Sequence, residues 1–238
     1  MIASFSRERL KDNEVGILTD FDVSSDVLFI CFSGQGPEGQ PPPFEFSGVL
    51  RNYQVKKMFV RDVDNYSFHG GLRGLTNNID ETAGVISDLI RQSGVEKVVS
   101  IGNCQGGYGA ILFGVLCDIP EIITFAPLTF LDRWNRFRYR EMRWPSGFRR
   151  IYSCPRRSPE YFDLRKLKDL GKPRIDVYYD IDFRVDKNHS ERLAKGHPNI
   201  SYYPRHGGQH LLVKNLKKSG ELDRILEKAC EVRQRSEI

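Results

Sequence analysis

Nothing in these 238 residues approaches a membrane span. No apolar run reaches the roughly 18–20 residues that cross a bilayer. The opening Met-Ile-Ala-Ser-Phe-Ser-Arg-Glu-Arg-Leu lacks the long apolar centre of a secretory signal. The expectation is a soluble cytoplasmic protein with no membrane partner. Cysteine is scarce: five residues, an odd number, with no paired short spacing. That excludes a disulfide framework and argues against a structural zinc site, so no metal is expected. Neither a Gly-x-Gly-x-x-Gly nor a Walker sequence occurs, and no cofactor is expected. Internal repeats and low-complexity linkers are missing as well, which makes a single domain over 1–238 the economical reading.

What is present is an ordinary globular composition, 39% hydrophobic and 28% charged, long enough for a sizeable core. Its centre is Val98–Phe113. An apolar β-branched run (Val98, Val99, Ile101) reads as a buried strand, Gly102-Asn103-Cys104-Gln105-Gly106 as a tight turn, and Gly107 to Cys117 as an apolar helix. Glycines flank the cysteine because a strained turn leaves no room for side chains where strand and helix converge. The cysteine then meets the free N–H groups of a helix N-terminus, a setting that favours a thiolate. Alone, the same pattern also fits a small buried residue at a strand–helix turn.

The surrounding chain supports the first reading. Glu14–Thr19, Asp26–Phe32, Lys57–Val60, Glu121–Ala126, Ile175–Tyr179 and Ile200–Tyr203 read as strands. Ile79, Ala83, Ile86 and Ile90 fall at helical spacing between Asn78 and Gln92, which completes a β-α-β unit and implies a parallel sheet. A glycine- and proline-rich loop follows the second strand, from Ser33 to Pro43. The turn Pro204-Arg205-His206-Gly207-Gly208-Gln209-His210 precedes a C-terminal helical region, and His189 and His197 read as surface residues.

The order of strand, elbow, helix, insertion, acidic loop and glycine-flanked histidine resembles the α/β-hydrolase superfamily, in its cysteine-nucleophile form. The resemblance spans about 27–225 outside the insertion. It implies an α/β fold, a mostly parallel sheet flanked by helices, and a triad in the order nucleophile, acid, histidine. Cys104 is the nucleophile and His210 the base, with His206 as competitor. Asp182 is the favoured acid; Asp180 and Asp186 stay open. The resemblance also places oxyanion donors at Gln105 and at one of Ser33, Gly34 and Gln35.

The insertion, about 128–172, interleaves arginines with aromatics and sits where this fold carries a lid. Arg136, Arg140 and Trp144 are the candidate substrate-binding residues, because arginine forms bidentate contacts with phosphate and carboxylate. A nucleic-acid partner is the disfavoured reading of the same pattern. The function implied is an acyl-ester or thioester hydrolase working through an acyl-cysteine. An acyltransferase passing the acyl group to an amine or hydroxyl is close behind, and a non-catalytic binding protein is the third reading. The partner is a small acyl ester or thioester, with acyl-CoA or a carrier protein suited to a basic lid.

Overall fold

Val27–Phe32 holds no polar side chain, and all six of its residues are buried. Alternate side chains leave a strand on opposite faces, so Leu28, Ile30 and Phe32 enter one core while Val27, Phe29 and Cys31 enter another. A strand buried on both faces lies inside a sheet covered by helices on each side. The computed structural model, which describes residues 1–37 and 40–231, has that architecture.

Its eight strands are β1 (Ile2–Ser4), β2 (Ile17–Asp20), β3 (Val27–Phe32), β4 (Lys56–Val60), β5 (Lys97–Asn103), β6 (Glu121–Phe125), β7 (Arg174–Asp180) and β8 (Ile200–Arg205). They form one sheet in the order β1-β2-β4-β3-β5-β6-β7-β8. Only the β2–β4 pair is antiparallel. The sequence pattern missed β1, which pairs with β2 at the edge and buries none of its three residues. Without a buried face a strand leaves no alternation to read.

The helices are α1 (Ser47–Leu50), α2 (Ile79–Ser93), α3 (Gln105–Leu116), α4 (Arg133–Arg138), α5 (Pro145–Ser153), α6 (Arg184–Ala194), α7 (Leu212–Lys218) and α8 (Glu221–Cys230). Ile79, Ile86 and Leu89 of α2, Ile111 of α3, Ile151 of α5 and Leu193 of α6 fill one core; Leu212 and Leu216 of α7 with Leu222 and Leu226 of α8 fill the other. Each such side chain contributes about 1.5–3 kcal/mol by leaving water. Helix α2 starts where Asn78 Oδ1 accepts the Glu81 N–H at 2.8 Å and stops at Gly94, whose φ of 63° suits a residue without Cβ. Helix α3 is buried on every side except at Leu116, and it begins two residues earlier than the apolar run suggested. The chain between β6 and β7 carries α4, α5 and two short 3-10 turns. Among the described residues no helix is long and apolar enough to cross a membrane.

Candidate active site

Cys104 stands between the last residue of β5 and the first of α3, with φ 55° and ψ −118°. A side chain in that left-handed region costs of order 1–3 kcal/mol and persists only where its surroundings hold it. They do so here. The Cys104 N–H donates to Phe125 O at 2.9 Å, and its carbonyl accepts from Tyr108 N at 3.2 Å and Leu128 N at 3.0 Å. A Cβ on Gly106 would strike the Phe32 carbonyl, and one on Gly102 would strike the Gly106 carbonyl. The flanking glycines therefore let β3, β5 and α3 meet backbone to backbone. The resulting burial pushes the Cys104 thiol up to about 12, against the pull of Arg143 and of the Gln105 N–H, with Asp186 and Glu45 adding to the rise. The depressed thiol expected from a helix N-terminus is not what this pocket produces, because burial outweighs the helix. Burial therefore favours the protonated form of the sulfur.

His210 follows β8 in a turn that Asp180 organises: Asp180 Oδ2 accepts the Gly208 N–H at 2.7 Å and also the Gln209 N–H. His210 Nδ1 lies 2.9 Å from Oδ2 of Asp186, the third residue of α6, whose carboxylate is fully buried. Asp182 is elsewhere. It pairs with His206 at 2.8 Å, and both side chains are mostly in solvent. Geometry thus replaces Asp182 with Asp186 as the partner of His210, and sets His206 outside the buried site.

The sequence reading did not single out Arg143. Its Nη1 donates to Asp186 Oδ1 at 2.7 Å and sits 3.1 Å from His210 Nδ1. Only one proton can occupy that gap: Nδ1–H directed at Asp186, or a bare Nδ1 accepting from Arg143. The other edge of the guanidinium grips Glu141, with Nε 3.0 Å from each carboxylate oxygen. Glu141 in turn faces His189 Nε2 at 3.1 Å, while the Thr129 N–H donates to His189 Nδ1 at 3.0 Å. The Thr129 donor assigns the Nε2–H tautomer to His189. Burial lowers the His189 pKa, so this histidine is neutral and interior, not a surface residue as the sequence suggested. Burial works to raise Glu141, but the bonds from His189 and Arg143 outweigh it and hold the carboxyl at about 2.

The oxyanion candidates separate by where their N–H groups go. Ser33 N donates to Val60 O at 2.9 Å inside the sheet, which removes it. Gly34 N is directed at the Glu45 carboxylate, and Gly36 N donates to Asn65 Oδ1 at 2.9 Å. Gln35 N meets no acceptor among the described residues. Gln105 N, at the start of α3, points toward the Cys104 sulfur.

In sequence the chain matches no protein-family model and no curated relative. In structure it is similar to a capsule O-acetyltransferase of Neisseria meningitidis serogroup A, with TM-score 0.67 and 17% identity over 89% of this chain and 90% of that one. A histidine-to-alanine mutant of that acetyltransferase in complex with CoA gives TM-score 0.62 at 16% identity, over 87% and 90% of the two chains. An α/β hydrolase enzyme from a sediment metagenome of the Mar Chica lagoon, Morocco, gives 0.55 at 15%, over 89% and 92%. A carboxylesterase structure from Nitrososphaera gargenis gives 0.57 at 12%, over 90% and 94%. The fold is that of the α/β-hydrolases.

On this α/β-hydrolase fold, two clefts open near His210, one lined by Trp144 and the other by His210 itself. One, ≈ 600 Å³, is lined by Gln35, Gly36, Asn65, Trp144, Arg149 and Arg150, among others. The Gln35 amide occupies the space that a Cβ on Gly147 of α5 would fill, so the insertion rests directly on the oxyanion loop. The other cleft is mostly apolar and includes Asn103 and His210. Trp144 lies beside His210: its ring centroid is 4.9 Å from that of the imidazole, and the Arg143 guanidinium stacks 4.4 Å above it. Arg136 does not, because it stacks 3.5 Å over Phe148 and donates to the Tyr152 hydroxyl at 3.0 Å, within the insertion. Arg140 is exposed at the end of α4 and lines neither cleft. The basic residues at the site are Arg143, Arg149 and Arg150 instead.

Proposed function

We propose that this chain is an acyl-transfer enzyme that carries the acyl group on Cys104, with His210 as general base and acid and Asp186 as the carboxylate that orients it. The observation that carries this reading is the Asp186–His210 pair, 2.9 Å apart with its carboxylate buried, on the fold whose elbow holds Cys104. An acyl-CoA or a carrier-bound thioester is the donor best suited to the site. Arg149 and Arg150 line the polar cleft, and exchange between two thioesters is close to balanced in energy. The acceptor is a hydroxyl or amine. This agrees with the O-acetyltransferase likeness and its CoA complex. Hydrolysis by the same intermediate is the second reading, favoured by the likeness to esterases.

The chemistry follows from the protonated thiol. His210 Nε2 takes the Sγ proton as the sulfur attacks the carbonyl carbon, and Asp186 holds Nδ1–H so that Nε2 is the free base. The carbonyl π pair moves onto oxygen, where the Gln105 and Gln35 N–H groups receive it; one such donor is worth about 10²–10³ in rate. Collapse expels the leaving thiolate or alkoxide, which takes the proton from His210 and leaves an acyl-cysteine. The acceptor then gives its proton to His210 and attacks the thioester, and Cys104 departs as the leaving group and takes that proton back from His210. Arg143 offsets the charge of Asp186 and favours the thiolate form of Cys104.

Intact-mass spectrometry of wild type and Cys104→Ala with acyl thioesters and activated esters tests the proposal. An acyl mass gain on wild type alone is expected, discharged by alcohol or amine faster than by water. Discharge by water alone would select the hydrolase reading. No adduct with any donor would leave a non-catalytic binding protein.

A further inference from the structure

The apolar cleft is lined by Phe46, Val49, Leu211 and Val213, together with Glu45, Asn103, His210 and two lysines, Lys214 and Lys217, that are exposed to solvent. Its volume is ≈ 360 Å³, at the small end of the range of about 300–1,000 Å³ that ligand pockets occupy. Glu45 Oε2 and Asn103 Oδ1 are shut off from solvent, and lysines offer their apolar stems while their charged heads stay in water, so most of the surface of the cleft is hydrocarbon. Leu211 is 65% exposed, a large apolar side chain held in water beside the base. The cleft with Arg149 and Arg150 is lined by Trp144, whose ring lies 4.9 Å from that of His210.

A carbonyl at Cys104 has two substituents to place, the leaving group and the acyl chain. Arg149 and Arg150 give the first cleft the planar donors that suit a charged, phosphate-bearing leaving group, and the largely hydrocarbon lining of the second suits an aliphatic chain. We infer that the apolar cleft between α1 and α7 takes the acyl chain, and that the enzyme prefers aliphatic acyl groups several carbons long over acetyl. This inference rests on the acyl-cysteine reading above and adds the substrate class to it. The preference comes from walls supplied by four side chains that play no part in the chemistry.

The test is the rate of Cys104 acylation by p-nitrophenyl acetate, butanoate, hexanoate and octanoate, with the matching acyl-CoA series. Burying one methylene is worth about 0.8 kcal/mol, which is roughly a fourfold rise in kcat/KM per carbon until the cleft is full. Val213→Phe, on the outer turn of α7, should cut the octanoate-to-acetate ratio by at least about tenfold. Leu211→Ala, at an exposed position with little effect on folding, should flatten the rise for the longer chains. An acylation rate that is level or falls with chain length in wild type overturns the inference and leaves the acyl-cysteine reading intact. A rise that follows the alcohol in a series of acetate esters, instead of the acyl group, assigns the cleft to the leaving group and also overturns it. No acylation by any donor overturns both.

Discussion

His210 Nδ1 lies 2.9 Å from Asp186 Oδ2, and that carboxylate is wholly out of solvent. Four residues earlier on both segments the relation repeats as Asp182 and His206, with the same separation of 24 along the chain, but there both side chains are exposed. A pair in water is worth between nothing and about 1 kcal/mol. A buried pair holds a tautomer and an orientation. The two pairs differ in burial and in Arg143, which donates to Asp186 at 2.7 Å.

Asp186→Asn should therefore lower single-turnover acylation by roughly 10³–10⁴, the scale seen when a triad carboxylate loses its ability to hold the catalytic tautomer. Asp182→Asn should stay within about twofold of wild type. Rapid-quench mass measurement on both variants checks the pair, and an inactive Asp182→Asn beside an active Asp186→Asn would reverse the assignment.

Arg143 binds two buried carboxylates, Asp186 and Glu141. Removing one partner of a buried ion pair costs about 3–5 kcal/mol, so Arg143→Met should show a clearly lower denaturation midpoint. Because Arg143 draws the Cys104 thiol downward against burial, its loss should also move the pH profile of Cys104 alkylation to higher pH. Arg143→Lys should recover part of the charge effect and little of the two-sided grip. Stability loss with an unmoved alkylation profile would make Arg143 a structural residue only.

Burial raises the Glu45 carboxyl from its ordinary 4.5 to about 7. Between those values the folded chain keeps a proton that the unfolded chain has released. The contribution of Glu45 is thus fully present below pH 4.5 and is lost as pH rises through 7. The full loss is roughly 3 kcal/mol. Glu45→Gln carries no titrating group, so its urea midpoint should fall less than that of wild type between about pH 5 and pH 8. Parallel curves for the two proteins would mean that Glu45 ionises at its ordinary pH.

Arg149 and Arg150 line the polar cleft, and both are exposed. Replacing both with Ala should raise KM for acyl-CoA roughly tenfold to a hundredfold, the range for losing charged hydrogen bonds. Neutral p-nitrophenyl esters should change by less than about twofold. Equal losses on both donor classes would remove the anion-binding role from this cleft.

Much of this was open to reading in the chain alone. The glycines around Cys104 marked the elbow because only a missing Cβ lets Gly106 rest on the Phe32 carbonyl. Continuous apolar runs such as Val27–Phe32 marked strands buried on two faces. Both signals are local: they follow from what one residue or one strand can do with its own neighbours. Asp186 was within view only as one of three aspartates, since Asp180, Asp182 and Asp186 look alike until their partners are known. Asp180 turns out to hold the Gly208 and Gln209 amides, a task with no signature in sequence.

The sequence by itself determined the central strands, the elbow and the histidine proposed as base, because periodicity and steric exclusion act over a few residues. The carboxylate beside that histidine, the candidate oxyanion donor and the arginines near it were decided only when the chain folded. Choosing Asp186 over Asp182, Gln35 over Ser33, and Arg143 over Arg136 and Arg140 depends on burial and on which backbone N–H the sheet has already taken. Those are properties of segments 40 to 70 residues apart brought to between 2.7 and 3.1 Å, and no local pattern records them.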